Sequence, residues 1–316
     1  MEYKHTPVML EEILAYLDPK LGENYIDCTL GGGGYSKAIL DRIGDKGKVL
    51  AIDMDNLAIE NAKINFKTEI KKKSIILVNN NFKNLQAIVN DHFEIGTKFD
   101  GIIFDLGLSS AQIQDRTRGF SFQLAEAPLN MAFSQDAVIS ASSIINEYSE
   151  DELIKIFENY GEEKNSRHIA REIVRIRQED SIKTVGQLLA LINKTINQSR
   201  RASRIHPATK IFQALRIAVN DELENLKQVL PQSIELLNNK GKIITVTFHS
   251  LEDRIVKQFF KQESRDCLCL PIHPVCQCNH RARLKILTPK VIKPTEEEIL
   301  INPRARSAKL RVAEVS

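Results

Sequence analysis

Through residue 110 the chain alternates apolar runs of strand length with longer amphipathic stretches, the pattern of βαβ units feeding a parallel sheet. It predicts strands at 24–30, "KVLAIDMD" (48–55), "SIILVNNNF" (74–82) and "KFDGIIFDLGLSS" (98–110), with helices near 34–43, 56–68 and 83–92 between them. Beyond 110 the rhythm breaks into a Ser, Gln and Arg-rich loop containing "GFSF", followed by helical patterns at 150–160, 165–178, 184–197 and 209–238. Successive helices without a strand mark a helical insertion. Strand character returns at "GKIITVTFHS" (241–250), and the helix "LEDRIVKQFF" (251–260), a Cys-rich loop, "RLKILTP" (283–289) and "AKLRVAEV" (308–315) complete the chain. The expected organisation is one doubly wound α/β sheet domain in two parts, 1–112 and 208–316, separated by an all-helical insertion at 113–207, with the helix starting near Thr209 returning the chain to the sheet.

Composition narrows the class without naming a function. The 316 residues are 42% hydrophobic and 27% charged, ordinary for a globular protein. No window approaches the roughly 18 uninterrupted apolar residues of a membrane span, and "MEYKHTPVMLEEIL" lacks the basic and apolar regions of a secretory signal, so a cytoplasmic protein without membrane association is expected. The net charge of +3 is small, but basic residues gather in "SRRASRIHPATK" and "NHRARLK".

The chemistry concentrates at "YIDCTLGGGGYS" (25–36), where four glycines follow the first strand. Glycine lets the chain turn tightly and lets backbone N–H groups approach a ligand, which suits a dinucleotide or a nucleoside cofactor equally; such loops also occur with nothing bound. The dinucleotide fingerprint G-x-G-x-x-G is met by Gly31 and Gly33 but has Ser36 in its third place. Asp27 precedes the loop, Asp53 and Asp55 end the second strand, and Asp105 lies near the end of the fourth. These carboxylates would repel a pyrophosphate and attract the sulfonium and ammonium of S-adenosylmethionine. A nicotinamide dehydrogenase is therefore disfavoured, while a methyltransferase and a non-catalytic RNA-binding protein both stand.

The ordered segments "YKHTPVMLEE", "YIDCTLGGGGYS", "LAIDMD", "DGIIFDLGLSS", "RGFSF", "YGEEKNSRHIAREIVRIR", "HPATKIFQALRIAVNDEL", "TFHSLEDRIVKQFF" and "NPRARSAKLRVAE" give the chain its resemblance to the bacterial 16S rRNA cytosine-N4 methyltransferases, the RsmH or MraW family. The resemblance implies a class I, Rossmann-like S-adenosylmethionine-dependent methyltransferase sheet and methylation of the exocyclic N4 of a cytidine at the decoding centre. The partner is then 16S rRNA or the small ribosomal subunit, and a homodimer is left open. Carried over by position, the cofactor contacts are Gly33, Gly34, Tyr35, Asp53, Phe82, Asp105 and Gln112, with Phe82 against adenine and Asp53 on the ribose; no metal is implied. This chain departs from the family in Tyr35, where His is usual, in "PLNMAF" (128–133) for "PLDMRM", which places Asn130 and Ala132 where an acid and an arginine are usual, and in Lys210 for arginine.

Asp105 is the expected catalytic group, polarising the amine together with the backbone of Leu106 to Ser109, while Phe120 or Phe122 either stacks on the extracted base or plugs the domain interface. The segment "DLGLSS" lacks the prolines and aromatic of the DNA amino-methyltransferase motif, which disfavours a DNA substrate. Arg200, Arg201, Arg204, His206 and Lys210 form the expected cationic surface for rRNA phosphates. "CLCLPIHPVCQCNH" (267–280) supplies Cys267, Cys269, Cys276 and Cys278, with His273 and His280 nearby, and is read either as a zinc site or as reduced thiols.

Overall fold

The computed structural model describes residues 7–195, 207–269 and 276–316. The chain divides into two compact units, Met1–Gly107 with Leu223–Ser316, and Leu108–Glu222.

Among the described residues the first unit is built on seven strands: β1 (Asn24–Asp27), β2 (Lys48–Asp53), β3 (Ile75–Asn79), β4 (Phe99–Asp105), β5 (Leu237–Thr247), β6 (Leu284–Ile286) and β7 (Lys309–Val315). Their order is β3-β2-β1-β4-β5-β7-β6. The first five pair in parallel, and β7 runs antiparallel between β5 and β6. This is the class I methyltransferase sheet, a doubly wound arrangement carrying one reversed strand near its edge. Alternate strand residues feed two cores, as a period of two dictates. Tyr25, Val49, Ala51, Ile103 and Ile244 face one core with Ile13, Leu17, Ile39 and Ile43, while Ile26, Leu50, Ile52, Ile102 and Phe104 face the other with Leu85, Leu230, Val256 and Phe260.

The helix Leu10–Leu17 comes before the first strand and was not among the expected elements, although Leu10, Ile13, Leu14 and Leu17 fall on one helical face. Its Leu17 explains Gly101 inside β4. A Cβ at Gly101 would lie 2.4 Å from Leu17 Cδ1 and 3.0 Å from the Tyr25 ring. The expected helix 209–238 is two helices, Pro207–Asn220 and Glu222–Leu236, separated at Asp221, whose φ of 53° lies in the left-handed region. Pro207–Asn220 belongs with the second unit and Glu222–Leu236 packs on the sheet.

The second unit is helical, with Ala141–Glu147, Glu150–Asn159, Ser166–Arg177, Val185–Thr195 and Pro207–Asn220 around Phe157, Ile169, Ile173, Leu188 and Ile211. Ser149 and Glu152 form a reciprocal cap at the start of Glu150–Asn159. Phe120 belongs to this core: its ring stacks on Phe133 at 5.6 Å, and the Arg118 guanidinium lies 5.4 Å from its centroid. A stacking surface for a base is therefore not what Phe120 supplies, whereas Phe122 meets Phe212 edge-on and stays half-buried. Of the expected cationic surface, Arg200, Arg201, Arg204 and His206 fall outside the described residues. Lys210 donates through Nζ to the Glu162 carbonyl at 2.9 Å. Among the described residues no helix is long and apolar enough to cross a membrane.

Gly101→Ala should destabilise the first unit by about 1–3 kcal/mol, because the added methyl forces Leu17 or Tyr25 off position. Urea unfolding with a lowered midpoint and an unchanged m-value is the expected result.

Candidate active site

The carboxyl ends of β1, β2 and β4 carry the predicted acids, and strand register sets their stagger. Asp27 pairs with Ala51 on β2 and Ile103 on β4, so Asp53 and Asp105 each stand two residues beyond it on either side. Across two strand spacings their backbones are roughly 10 Å apart. The glycine loop leaves β1 between them: Leu30 N–H donates to the Ile52 carbonyl at 2.9 Å, and the chain then turns at Gly31 (φ 50°) and Gly33 (φ 76°).

Asp27 is fully buried and already occupied. Its Oδ2 accepts from Ser36 Oγ at 2.7 Å and its Oδ1 accepts from Thr29 N–H at 3.2 Å. It braces the loop against the first turn of the helix Gly34–Ile43. Ser36, which breaks the dinucleotide fingerprint, is therefore the residue that satisfies a buried carboxylate.

The glycines also serve the protein itself. A Cβ at Gly33 would lie 2.7 Å from the Phe66 ring, and one at Gly34 would lie 2.1 Å from Pro7 Cγ. The close approach expected of a ligand is made at these two positions by the protein, leaving their backbone as the part that can meet a cofactor. Tyr35 is buried, with its hydroxyl donating to the Val8 carbonyl at 2.6 Å. Its side chain thus ties the N-terminal segment to the loop. Met9 N–H adds a bond of 2.6 Å to Glu298 Oε1.

Asp53 lies at the end of β2 as expected. Its Oδ2 accepts from Gly31 N–H and its Oδ1 from Asp55 N–H, each at 2.8 Å, which fixes the carboxylate while leaving lone pairs for further donors. Burial pushes its pKa up to about 6, against the lowering effect of those two N–H groups. Phe82 opens a short turn after β3 and meets Phe104 edge-on at 5.8 Å; the ring is half-buried. Gln112 lies in the second unit, where its Oε1 accepts from Ser109 N–H at 2.9 Å in the cap of the short helix Ser110–Gln114.

Asp105 ends β4, and its N–H donates to Thr29 Oγ1 at 2.7 Å. Its Oδ1 is shut off from solvent and has no hydrogen-bond partner among the described residues. Burial first, and then the charge of Asp27, push its pKa up to about 7 against the lowering effect of the nearby Tyr35 hydroxyl, with the Glu252 charge adding less. An unpaired buried acceptor is costly in a folded protein, which makes Asp105 a candidate for contact with a ligand.

The sequence alone points to no role for the motif "TFHSLED" (247–253). In the structure it follows β5 beside β4: Glu252 is buried, accepts from Phe248 N–H at 2.9 Å and stands 3.1 Å from His249 Nε2. Phe248 covers Gly107, where a Cβ would lie 2.9 Å from its ring. A buried Glu at the third position of a helix is legible as a capping residue, but its proximity to Asp105 depends on strand order.

The acceptors at these strand ends and the aromatic ring beside them suit a ligand with hydroxyl donors, a planar base and positive charge. The chain matches the MraW methylase family over residues 2–316. The chain belongs to that family. It is 45% identical over 314 residues to a Brevibacillus brevis protein named ribosomal RNA small subunit methyltransferase H, covering 99% of this chain and 98% of that one. It is 47% identical over 312 residues to a Clostridium botulinum protein of the same name, with 99% of each chain covered. A Thermomicrobium roseum protein of that name is 47% identical over 310 residues, covering 98% of this chain and 93% of that one. For a methylase of this family the cofactor is S-adenosylmethionine, and the residues at the sheet edge fit it.

The raised carboxyl of Asp105 has a consequence for stability. Its folded pKa of about 7 exceeds the ordinary 3.8, so the folded state binds the proton more tightly, and stability is lost as pH rises from about 4 through 7. Asp105→Asn, which stays neutral, should leave the melting temperature nearly unchanged at pH 4 and raise it by several degrees at pH 8. Thermal melts across that range check the sign; an equal effect at both ends contradicts it.

Proposed function

We propose that this chain methylates the exocyclic N4 of a cytidine in 16S rRNA at the decoding centre of the small ribosomal subunit, acting in the cytoplasm. The observation that supports the reading most is the buried Oδ1 of Asp105 at the edge of the sheet, which has no hydrogen bond among the described residues. An exocyclic cytosine amine is a poor nucleophile because its lone pair is delocalised into the ring, and an acceptor for one of its hydrogens restores electron density to the nitrogen. S-adenosylmethionine supplies an electrophilic methyl group on a sulfonium.

Asp53 would hold the ribose hydroxyls with the lone pairs that Gly31 and Asp55 leave available. Phe82 would lie against adenine, and the backbone of Gly33, Gly34 and Tyr35 would line the methionine end; the family resemblance adds Gln112 to this set. Asp105 Oδ1 accepts an N4 hydrogen and aligns the nitrogen with the methyl carbon. Bound S-adenosylmethionine would supply the methyl carbon to N4 with the S–C bonding pair left on sulfur, and Asp105 would take the surplus proton of the methylated amine. A carboxyl with a pKa of about 7 suits this task, being ionised for acceptance yet basic enough to take the proton. Positioning and local electrostatics carry the rate.

The test uses labelled S-adenosylmethionine with small subunits and, separately, bare 16S rRNA, followed by mapping of the modified base. Incorporation at N4 of a single cytidine is expected, and transfer to another atom or to no RNA contradicts the reading. Asp105→Ala should lower turnover on the order of 100-fold or more. For the wild type, kcat/KM should rise with pH through a limb near 7, and Asp105→Asn should lose that limb.

A further inference from the structure

The loop between the helix Ser250–Glu263 and β6 (Leu284–Ile286) takes no part in the proposed transfer, yet it has its own construction. Its foot is pinned: Arg283 N–H donates to the Glu263 carbonyl at 2.8 Å, and the Arg283 guanidinium bridges Glu263 and Glu235, each at 2.8 Å. Ala282 N–H donates to Asp266 Oδ1 at 3.2 Å. Beyond this foot the described residues form no helix or strand, and Cys267, Cys276 and Cys278 are exposed. A long excursion of this kind needs something other than an apolar core to hold one conformation.

The four sulfurs supply it. Sγ atoms of Cys267, Cys269, Cys276 and Cys278 lie within 4.8 Å of one another. Cys276 and Cys278 are 3.6 Å apart and Cys278 and Cys267 3.9 Å, far wider than the roughly 2.05 Å of a disulfide. A tetrahedron of thiolates about 2.3 Å from a central zinc has edges of about 3.8 Å, between those two separations. An iron–sulfur cluster would spread its thiolates around a polynuclear core and hold them further apart.

The backbone is arranged for negative sulfur. Cys269 N–H donates to Cys267 Sγ at 3.4 Å within one arm, while Leu268 N–H reaches Cys278 Sγ and Gln277 N–H reaches Cys269 Sγ across the arms, both at 3.3 Å. Such N–H groups orient metal-bound thiolates and stabilise their charge. Exposed thiols clustered without a ligand gain nothing from this geometry, since an unliganded cysteine is ordinarily a buried residue. His280 is not in the set, because its Nε2 lies 3.2 Å from the Gln262 carbonyl. The tight C-x-C spacing, which weakens the zinc signal in the sequence, is accommodated by the cross-arm bonds that bring the two pairs together.

We propose that Cys267, Cys269, Cys276 and Cys278 bind a single tetrahedral zinc ion that staples this loop, apart from the methyl-transfer site and with no step in its chemistry. Metal binding displaces the thiol protons and leaves the ion with four thiolate ligands.

The test is metal analysis of the full chain purified without a histidine tag, and cobalt substitution after removal of metal under reducing conditions. The expected results are one zinc per chain and, on adding Co(II), thiolate charge-transfer bands with the intense d–d bands of a tetrahedral centre. The double variant Cys276→Ser with Cys278→Ser should lose both the zinc and the cobalt spectrum and show faster protease cleavage between Glu263 and Arg283. Circular dichroism of the variant separates a lost site from a lost fold. Substoichiometric metal with no cobalt bands in the reduced wild-type chain overturns the proposal, as does isolation of the four cysteines as two disulfides from cells lysed under thiol-blocking conditions.

Discussion

The burial of Asp27 is the constraint from which the sheet edge follows. A carboxylate with no solvent access must be hydrogen-bonded, and Ser36 Oγ and Thr29 N–H provide the bonds. To deliver them the chain must leave β1, turn through left-handed glycines and enter a helix within a few residues. That path brings Gly31 N–H to Asp53 and Thr29 Oγ1 to the N–H of Asp105. One buried acid thus fixes the loop, and the loop fixes the two acids on either side of it. Asp27 also adds to the raised pKa of both neighbours, so its charge reaches the two acids beside it.

A division of labour among the acids results. Asp27 supports the structure, Asp53 is half-committed to backbone N–H groups, and Asp105 keeps one buried oxygen without a donor. The same residue type at three adjacent strand ends therefore offers graded acceptor capacity to a ligand. The packed side of the glycine loop is equally specific, with Pro7 on Gly34, Phe66 on Gly33 and the Tyr35 hydroxyl on Val8. A histidine at position 35 would not reproduce the same buried phenol, so the departure from the usual family residue carries its own anchoring contact.

What could be read in the sequence was what depends on periodicity. β2, β3 and β4, and with them the strand-end positions of Asp53 and Asp105, follow from short apolar runs closed by polar residues. Asp27 is visible as an acid beside the loop, whereas the groups that occupy it are set by the turn and not by any local pattern. Gly33 and Gly34 were legible as turn residues, whereas Phe66 and Pro7, the atoms that forbid a side chain there, are distant in sequence. The long helix expected over 209–238 has an unbroken apolar period, and only the left-handed Asp221 divides it. The cysteine tetrad shows the reverse case: its spacing is an imperfect motif, and its geometry is what makes the argument.

In the proposed reaction Asp105 sits at the reaction centre as a carboxyl poised near neutrality that binding of a positively charged cofactor ionises. The most direct measurement is calorimetric titration of the free enzyme with S-adenosylmethionine at pH 7 in buffers of different ionisation enthalpy. The account predicts net proton release on binding by the wild type and loss of that release in Asp105→Asn. Identical proton linkage in the two proteins, or proton uptake that the substitution leaves unchanged, would contradict it.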